Sequence, residues 1–295
     1  MTRTTKKATT TATVTTAADA NAARLEKMRA KLTALETEAE TIIALGDAMS
    51  AADRLDLLRI VNVAYHDSGK IEMIYSIDST AACDFCASMR KAAEDNILLI
   101  CGSCYAAADA WKEAAWRRHK LNALIFSTVL FSKSELATLP IGSICRFNED
   151  GDTVNETMAR NYIRIILSHT ATHFGYWFKN RPAVEAGLHA EGIHDREHLP
   201  ANVRFIQSSL LIGFETSPAW FADAVFTVYP DAATTAEAIA KGAHECNGRK
   251  CRICGFTCYL AERRPEPIRI AEVLRAGKER RARIMAAYLA KKAAA

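Results

Sequence analysis

The sequence predicts an α/β protein built on a partial (β/α) barrel-like parallel sheet, with two cysteine-rich metal-binding loops and helical N- and C-terminal extensions. Three observations predict it. Short runs of β-branched and aromatic residues alternate with helical stretches, polar residues follow several of those runs, and eight of the nine cysteines fall into two quartets. Strands that alternate with helices pair in parallel through right-handed crossovers, which favours one continuous sheet.

The chain divides into four regions by composition. Residues 1–20 are rich in Thr and Ala and predict a disordered tail. Residues 21–60 predict a helical extension, residues 61–261 the α/β metal-binding domain and residues 262–295 a basic C-terminal helix. The extension has an apolar stripe at steps of three and four, formed by Leu25, Met28, Leu32, Leu35, Ala39 and Ile42. The stripe either packs on the domain behind it or pairs two copies in a homodimer.

The individual elements follow from periodicity and residue type. We expect strands over residues 71–77, 141–147, 172–178, 203–207 and 224–228, and helices over residues 104–120, 156–168 and 182–189. Residues 121–130 fit either a strand or a buried helix. In parallel sheets the loops at the carboxyl ends of the strands form the ligand site.

That rule nominates a group of polar residues after the predicted strands. They are residues 148–152, Lys179, Asn180, Ser208, Ser209 and Tyr229. Asp152, Asn155 and Lys179 are the candidate catalytic residues, because polar loop residues often carry function. The alternative for each is a solvated loop residue or a helix cap, a role that Asp often fills.

The first quartet is Cys83-x2-Cys86 followed by Cys101-x2-Cys104. Two thiolates two residues apart reach one metal ion from a tight turn, and a second such pair completes a tetrahedron. The start of the chain lacks the apolar segment of a secretory signal, so we expect a cytoplasmic protein whose thiols stay reduced. The apolar runs are also too short to span a bilayer, which predicts no membrane segment. These spacings therefore predict a metal site.

The second quartet is Cys246-x4-Cys251-x2-Cys254-x3-Cys258. Spacings this short are typical of loops that bind metals or clusters. The neighbouring basic residues Arg249, Lys250 and Arg252 would lower the thiol pKa values and offset the negative charge of four thiolates. Zinc and an iron–sulfur cluster both fit the pattern.

Several spaced motifs resemble one family, the phage and mobile-element proteins called gene product eighty-eight-like. The motifs are residues 65–70, the 101–106 segment, Gly151-Asp152, Ala159-Arg160-Asn161, Lys179-Asn180 and Cys251-x2-Cys254. That family is similar in turn to radical S-adenosylmethionine proteins, in which a Cys-x3-Cys-x2-Cys loop after the first strand of a partial barrel binds a [4Fe-4S] cluster. The first quartet here also follows the first predicted strand, but with a different spacing.

The resemblance implies a [4Fe-4S] cluster at the first quartet, S-adenosylmethionine beside it, and an auxiliary cluster or zinc at the second quartet. It implies that Asp152 faces the cofactor or the substrate. Tyr105 and Gly151, which lie in these motifs, and the strand-end residue Ser208 are the candidate cofactor-binding residues. The implied function is a radical-type iron–sulfur enzyme acting on an unidentified small-molecule or macromolecular substrate.

A second hypothesis is a protein without catalytic activity in which both quartets hold structural Zn²⁺. From Glu262 onward the chain has ten Lys and Arg against four Glu, and a basic helix favours contact with nucleic-acid phosphates. The chain also has no Walker loop, nucleophile elbow or dinucleotide fingerprint. An adaptor protein of a phage or mobile element is therefore open as well.

Overall fold

The computed structural model describes residues 17–67, 69, 71–79, 84–103, 113–148, 151–246, 251, 254, 258–259 and 263–294. Several predicted features lie outside these residues: most of the N-terminal tail, Cys83, Cys104, Tyr105, the start of the helix predicted over residues 104–120, and part of the 148–152 loop. Half of the first quartet is therefore described, while all four cysteines of the second quartet are described.

Eight strands form one sheet. They are β1 (Ala64–His66), β2 (Ile74–Ile77), β3 (Ile144–Phe147), β4 (His173–Phe178), β5 (Val203–Ser208), β6 (Ala224–Tyr229), β7 (His244–Glu245) and β8 (Ile268–Val273). Their order across the sheet is β1-β2-β3-β4-β5-β6-β8-β7. The β1–β2 pair is antiparallel and every other pair is parallel. From β2 to β6, neighbours in the sheet are neighbours along the chain.

The described residues also form nine α-helices. They are α1 (Ala17–Ile43), α2 (Ala51–Ile60), α3 (Asp84–Asp95), α4 (Glu113–Thr128), α5 (Lys133–Leu136), α6 (Glu156–Ser168), α7 (Arg181–Ala190), α8 (Ala232–Ala240) and α9 (Lys278–Ala293). A 3₁₀ turn spans Ile100–Ser103. Among the described residues, no helix has both the length and the apolar composition needed to span a bilayer.

The main core lies between the helices and one face of the sheet, which we call the helix-side face. Alternate strand residues such as Phe147, Tyr176 and Phe205 point to this face and are fully buried. The Phe147 ring stacks on Tyr162 of α6 with centroids 4.3 Å apart. Full burial of one such side chain contributes roughly 1.5–3 kcal/mol, so this aromatic layer fixes α6 against the strands.

The opposite face carries the intervening residues, and we call it the cysteine-side face. Ile144, Ile206, Ala224 and Ile270 are buried there. The partly buried Cys246, Cys251 and Cys258 pack against them. The second quartet therefore lies on the face of the sheet that the main core does not use.

Most of the predicted elements of the domain are confirmed with small shifts at their ends. The helix over residues 156–168 has the predicted bounds, and the strands over 141–147, 172–178, 203–207 and 224–228 differ at their ends by up to three residues. The strand predicted over 71–77 begins only at Ile74, because Met73 has a positive φ of 62° and ends a turn. Residues 121–128, left open between strand and helix, belong to α4.

The prediction of one basic helix over residues 262–295 is wrong for its first part. Ile268–Val273 form strand β8, which pairs in parallel with β6 along its whole length, and the helix begins only at Lys278. Ile268 and Ile270 alternate with Arg269, so they pack on the cysteine-side face while Arg269 binds Glu215. The sheet therefore extends beyond the boundary predicted at residue 261.

Helix α1 lies along α4, and ion pairs join the two helices. Arg29 pairs with Glu113 at 2.8 Å, and Arg117 pairs with Glu36. Leu35, Ala39 and Ile42, the second half of the predicted stripe, pack into the main core. This part of the stripe therefore packs on the domain behind it, which was the first of the two alternatives.

Candidate functional site

Asp152 lies in the loop after β3 and is fully buried. Its carboxylate accepts backbone hydrogen bonds from Thr153 at 2.7 Å, Lys179 at 2.8 Å and Asn180 at 3.3 Å. Burial raises the pKa of Asp152, while the positive charge of Lys179 and the three N–H groups lower it. The Asp152 carboxylate therefore joins the loops after β3 and β4, at the carboxyl edge of the sheet.

Gly151 precedes Asp152 with a φ of +108°. A Cβ atom at this position would lie 2.3 Å from the carbonyl oxygen of Ser79, which follows β2. The Ser79 hydroxyl lies 2.6 Å from the Asp152 carbonyl oxygen and 2.8 Å from Asn148 Oδ1. Gly151 is thus required for the close approach of two loops, and its predicted contact with a cofactor stays a prediction.

Asn148 completes this carboxyl-edge network, which comprises Ser79, Asn148, Asp152, Thr153 and Asn180. Its side-chain amide donates to the Trp177 carbonyl oxygen at 3.1 Å and to the Thr153 hydroxyl at 3.2 Å. Asn148 has a φ of 59°, a conformation that Asn tolerates better than most residues. The network therefore links the ends of β2, β3 and β4 through buried polar groups.

Asn155 is the N-cap of α6. Its side-chain oxygen accepts the N–H of Met158 at 3.0 Å, and its amide nitrogen donates to the Ser127 carbonyl oxygen at 3.0 Å. Both ends of the side chain are engaged in structural hydrogen bonds. The capping role considered for Asp152 thus belongs to Asn155, whose catalytic role stays a prediction.

The other nominated strand-end residues lie along the same edge. Ser208 is the last residue of β5 and Lys179 follows β4, and both are partly buried. Ser209 is buried, with its hydroxyl 2.7 Å from that of Thr227. The phenolic hydroxyl of Tyr229 donates to Glu215 at 2.7 Å, and burial raises the pKa of Tyr229.

A second polar cluster at this edge was not predicted from the sequence. The buried Asp78 follows β2 and accepts the hydroxyl of Ser76 at 2.7 Å. His66 Nε2 lies 2.8 Å from that hydroxyl, and His119 Nε2 lies 3.9 Å from the Asp78 carboxylate. His66 and His119 come from β1 and α4. The signal in the sequence was Asp78 directly after an apolar run, but its partners depend on the tertiary fold.

The described half of the first quartet lies near the carboxyl edge. Cys86, in the first turn of α3, is buried and packs with Val154 of the loop after β3. Cys101 is buried in the 3₁₀ turn, where the N–H of Ile100 donates to the Leu210 carbonyl oxygen at 2.9 Å. A Cβ atom at Gly102 would lie 2.8 Å from Ala93 Cβ, so α3 packs closely against this turn.

The second quartet is grouped around Cys258 on the cysteine-side face. Burial raises the pKa of the Cys258 thiol to about 12, and repulsion from Cys251, Cys246 and Cys254 adds to the rise. Arg146 of β3 acts in the opposite direction. Four thiols thus share one electrostatic environment.

The thiols nevertheless do not form a finished coordination site. Within the part of the chain that the structure describes, no three His, Cys, Asp or Glu side chains are arranged to hold a metal ion. Cys83 and Cys104 lie outside that part.

The basic residues of α9 are partly engaged within the chain. Arg280 donates to the Ser103 hydroxyl at 3.1 Å and also binds the Gly102 carbonyl oxygen, while Lys292 pairs with Glu237 at 3.3 Å. Arg281 and Arg283 are exposed. Contact of this helix with nucleic acid stays a prediction.

Comparison with known proteins gives no relative, since no protein family, curated protein or solved structure matches this chain.

Proposed function

We propose that this chain is a metal-binding protein of the iron–sulfur type and that the second quartet forms one of its metal centres. The observation that carries the proposal is the packing of Cys246, Cys251 and Cys258 on one face of the sheet, with Cys254 between the latter two in sequence. Neighbouring thiols that raise one another's pKa values become thiolates when a cation is bound among them. Four thiolates suit Zn²⁺ and iron–sulfur clusters, because both prefer soft ligands.

The finer proposal is a radical-type enzyme on a partial (β/α) barrel. Parallel strands in sequential order, with the helices of the main core on one face, support this architecture. Cys86 lies beside Val154 at the carboxyl edge, the edge at which barrel enzymes hold their ligands. A [4Fe-4S] cluster held there by Cys83, Cys86, Cys101 and Cys104 would supply the electron for cleavage of S-adenosylmethionine.

The residues of the carboxyl edge would serve such a site by positioning. The Asp152 carboxylate accepts the backbone N–H groups of Lys179 and Asn180, and these hydrogen bonds fix the backbone position from which the Lys179 side chain extends. Its burial also keeps water away from the carboxylate. An ammonium group fixed at this edge would bind an anionic group of the cofactor or the substrate.

The test is metal and sulfide analysis, with an absorption spectrum, on protein purified without oxygen. We expect bound iron and sulfide in the wild-type chain, loss of one centre in Cys254→Ser, and cleavage of S-adenosylmethionine under reducing conditions. Cys145→Ala is the matched control, because Cys145 is a buried thiol on the helix-side face, outside both quartets.

Two results would contradict the proposal at different levels. About two zinc ions per chain with no visible absorption would exclude the iron–sulfur part and leave the zinc-stabilised protein of the second hypothesis. A metal-free wild-type chain, or equal metal content in Cys254→Ser and Cys145→Ala, would overturn the metal centre itself.

A further inference from the structure

Arg146 lies on the cysteine-side face in the middle of the parallel sheet. Cys145 and Phe147, its neighbours in β3, belong to the main core on the other face. In the sheet register, Arg146 lies between Ser76 of β2 and Gly175 of β4. A cationic side chain therefore projects from a central strand towards the segment that carries the second quartet.

Gly175 brings that segment close to Arg146. A Cβ atom at Gly175 would lie 2.6 Å from the Tyr259 ring and 3.0 Å from the Cys258 carbonyl oxygen. Any larger residue would have to push the segment away from the sheet, because a glycine in a strand marks such a close approach. The Cys258–Tyr259 segment consequently rests on β4 directly beside Arg146.

Trp177 supports the guanidinium group. The Arg146 guanidinium carbon lies 4.6 Å from the centroid of the Trp177 ring, within the range of a cation–π contact. Trp177 is itself held edge-to-face by Phe226, with ring centroids 5.1 Å apart. Both aromatic residues pack, as Cys246 and Cys258 do, against the cluster of Ile206, Ala224 and Ile270. The position of the positive charge is thus fixed by the sheet rather than by a flexible loop.

We propose that Arg146 is the counter-charge and positioning residue of the second metal centre, held in place by Trp177. This inference rests on the proposed function, because it concerns the same four thiols. A divalent ion bound by four thiolates retains a net negative charge, which is costly to bury without a cation. Arg146 supplies that cation from the strand beside Gly175, against which the Cys258 backbone packs.

Arg204 offers a matched control. It lies on the same face in β5, directly opposite Gly175 on the side away from Arg146. Its guanidinium donates to the carbonyl oxygens of Ala201 at 3.1 Å and Val203 at 2.7 Å, near the amino end of the strand. These two hydrogen bonds hold the Arg204 guanidinium at the amino end of β5.

The experiment compares Zn²⁺ affinity by competition with a chromophoric chelator in the wild type, Arg146→Gln, Arg146→Lys and Arg204→Gln. All are full-length chains that also carry Cys83→Ser and Cys104→Ser, so that the first quartet does not obscure the result. We expect binding about 10- to 100-fold weaker in Arg146→Gln, as for other residues that support metal ligands. Arg146→Lys should bind with intermediate affinity and Arg204→Gln should match the wild type.

The outcomes separate the two proposals. Equal affinity in Arg146→Gln and the wild type, at similar thermal midpoints, would overturn the role of Arg146 and leave the metal centre intact. A wild-type chain that binds no Zn²⁺ and contains no iron would overturn both. If Arg146→Gln does not fold, Arg146→Lys decides, because the expected intermediate affinity, or affinity equal to that of the wild type, would show that a cation at this position supports binding. Affinity as low as that of a Cys254→Ser chain would contradict the counter-charge role.

Discussion

At the scale of single residues, the molecule uses its buried polar side chains mainly to join loops. Asp152 accepts three backbone N–H groups from two loops, and Asn155 caps α6 while binding the end of α4. An unsatisfied buried group costs about 1–3 kcal/mol, so the loss of any of these hydrogen bonds would destabilise the fold. Asp152 was predictable because it follows a strand. The pairing of Arg146 with Trp177 was not, because it depends on which strands lie side by side.

Asp152 should make stability depend on pH in a defined direction. Its pKa is raised on folding, so the proton binds the folded state more tightly. The stability it contributes is fully present below its unfolded pKa and is lost as the pH rises through the folded value. We therefore expect the free energy of unfolding of the wild type, relative to Asp152→Asn, to decrease as the pH rises above about 4, the usual pKa of an Asp carboxyl group.

The measurement is urea unfolding at several pH values, with Asp195→Asn as the control. Asp195 is an exposed carboxylate whose pKa is lowered by its hydrogen bond with His198. Its contribution is present above the unfolded pKa and is lost as the pH falls, so the trend should reverse. The same trend in both variants would contradict the assignment.

At the scale of elements, a cluster of ion pairs anchors the chain just after the second quartet. Arg263 donates to Asp223 at 2.8 Å and to the carbonyl oxygens of Leu199 and Val203 at 3.1 and 2.9 Å. Arg196 binds the same carboxylate at 3.1 Å. The cysteine segment is therefore anchored next to the start of β8, at the amino end of the sheet.

Asp223→Ala should destabilise the protein strongly. The Asp223 side chain is 5% exposed, and its loss leaves two partly buried guanidinium groups without their anion. Removal of one partner of a buried pair costs about 3–5 kcal/mol. Urea unfolding measures the effect, with Glu237→Ala as control. Because Glu237 and Lys292 are about half exposed, solvent screens their ion pair and that control should cost far less.

Sequence patterns predicted some elements correctly and missed others. The helix at residues 156–168 was predicted with its bounds because its apolar period is uninterrupted and Asn155 caps it. Strand β8 was missed because Ile270, Val273 and Leu274 also fit a helical spacing next to a basic helix. Ile268 and Ile270 alternating with Arg269 was the signal for a strand, but pairing with β6 decided the outcome.

At the scale of the whole molecule, the second quartet connects parts of the chain that are far apart in sequence. Its segment packs on residues of β3, β5, β6 and β8, and Tyr259 lies over β4. The sheet order places these strands together. The alternation of strands and helices predicted their parallel pairing, except for β8, which was missed. A metal bound by these cysteines would consequently act on the stability of the sheet and not only on one loop.

Zn²⁺ should therefore raise the free energy of global unfolding, provided that the proposed metal centre exists. A ligand that binds only the folded state at about 100 times its Kd contributes about 2.7 kcal/mol. Chemical unfolding of metal-free protein with and without Zn²⁺ measures this gain, which Cys254→Ser should reduce and Cys145→Ala should preserve. An equal gain in Cys254→Ser and the wild type would place the effect elsewhere.

The two edge strands of the described sheet are short. Strand β1 has three residues and β7 has two, while the longest strands lie between them. Long, flat edges recruit strands from other molecules and promote aggregation, and proteins counter this with very short edge strands. The backbone at these two edges offers few hydrogen-bonding groups to a second copy. The chain should therefore resist edge-to-edge polymerisation even at the high concentrations reached during overexpression.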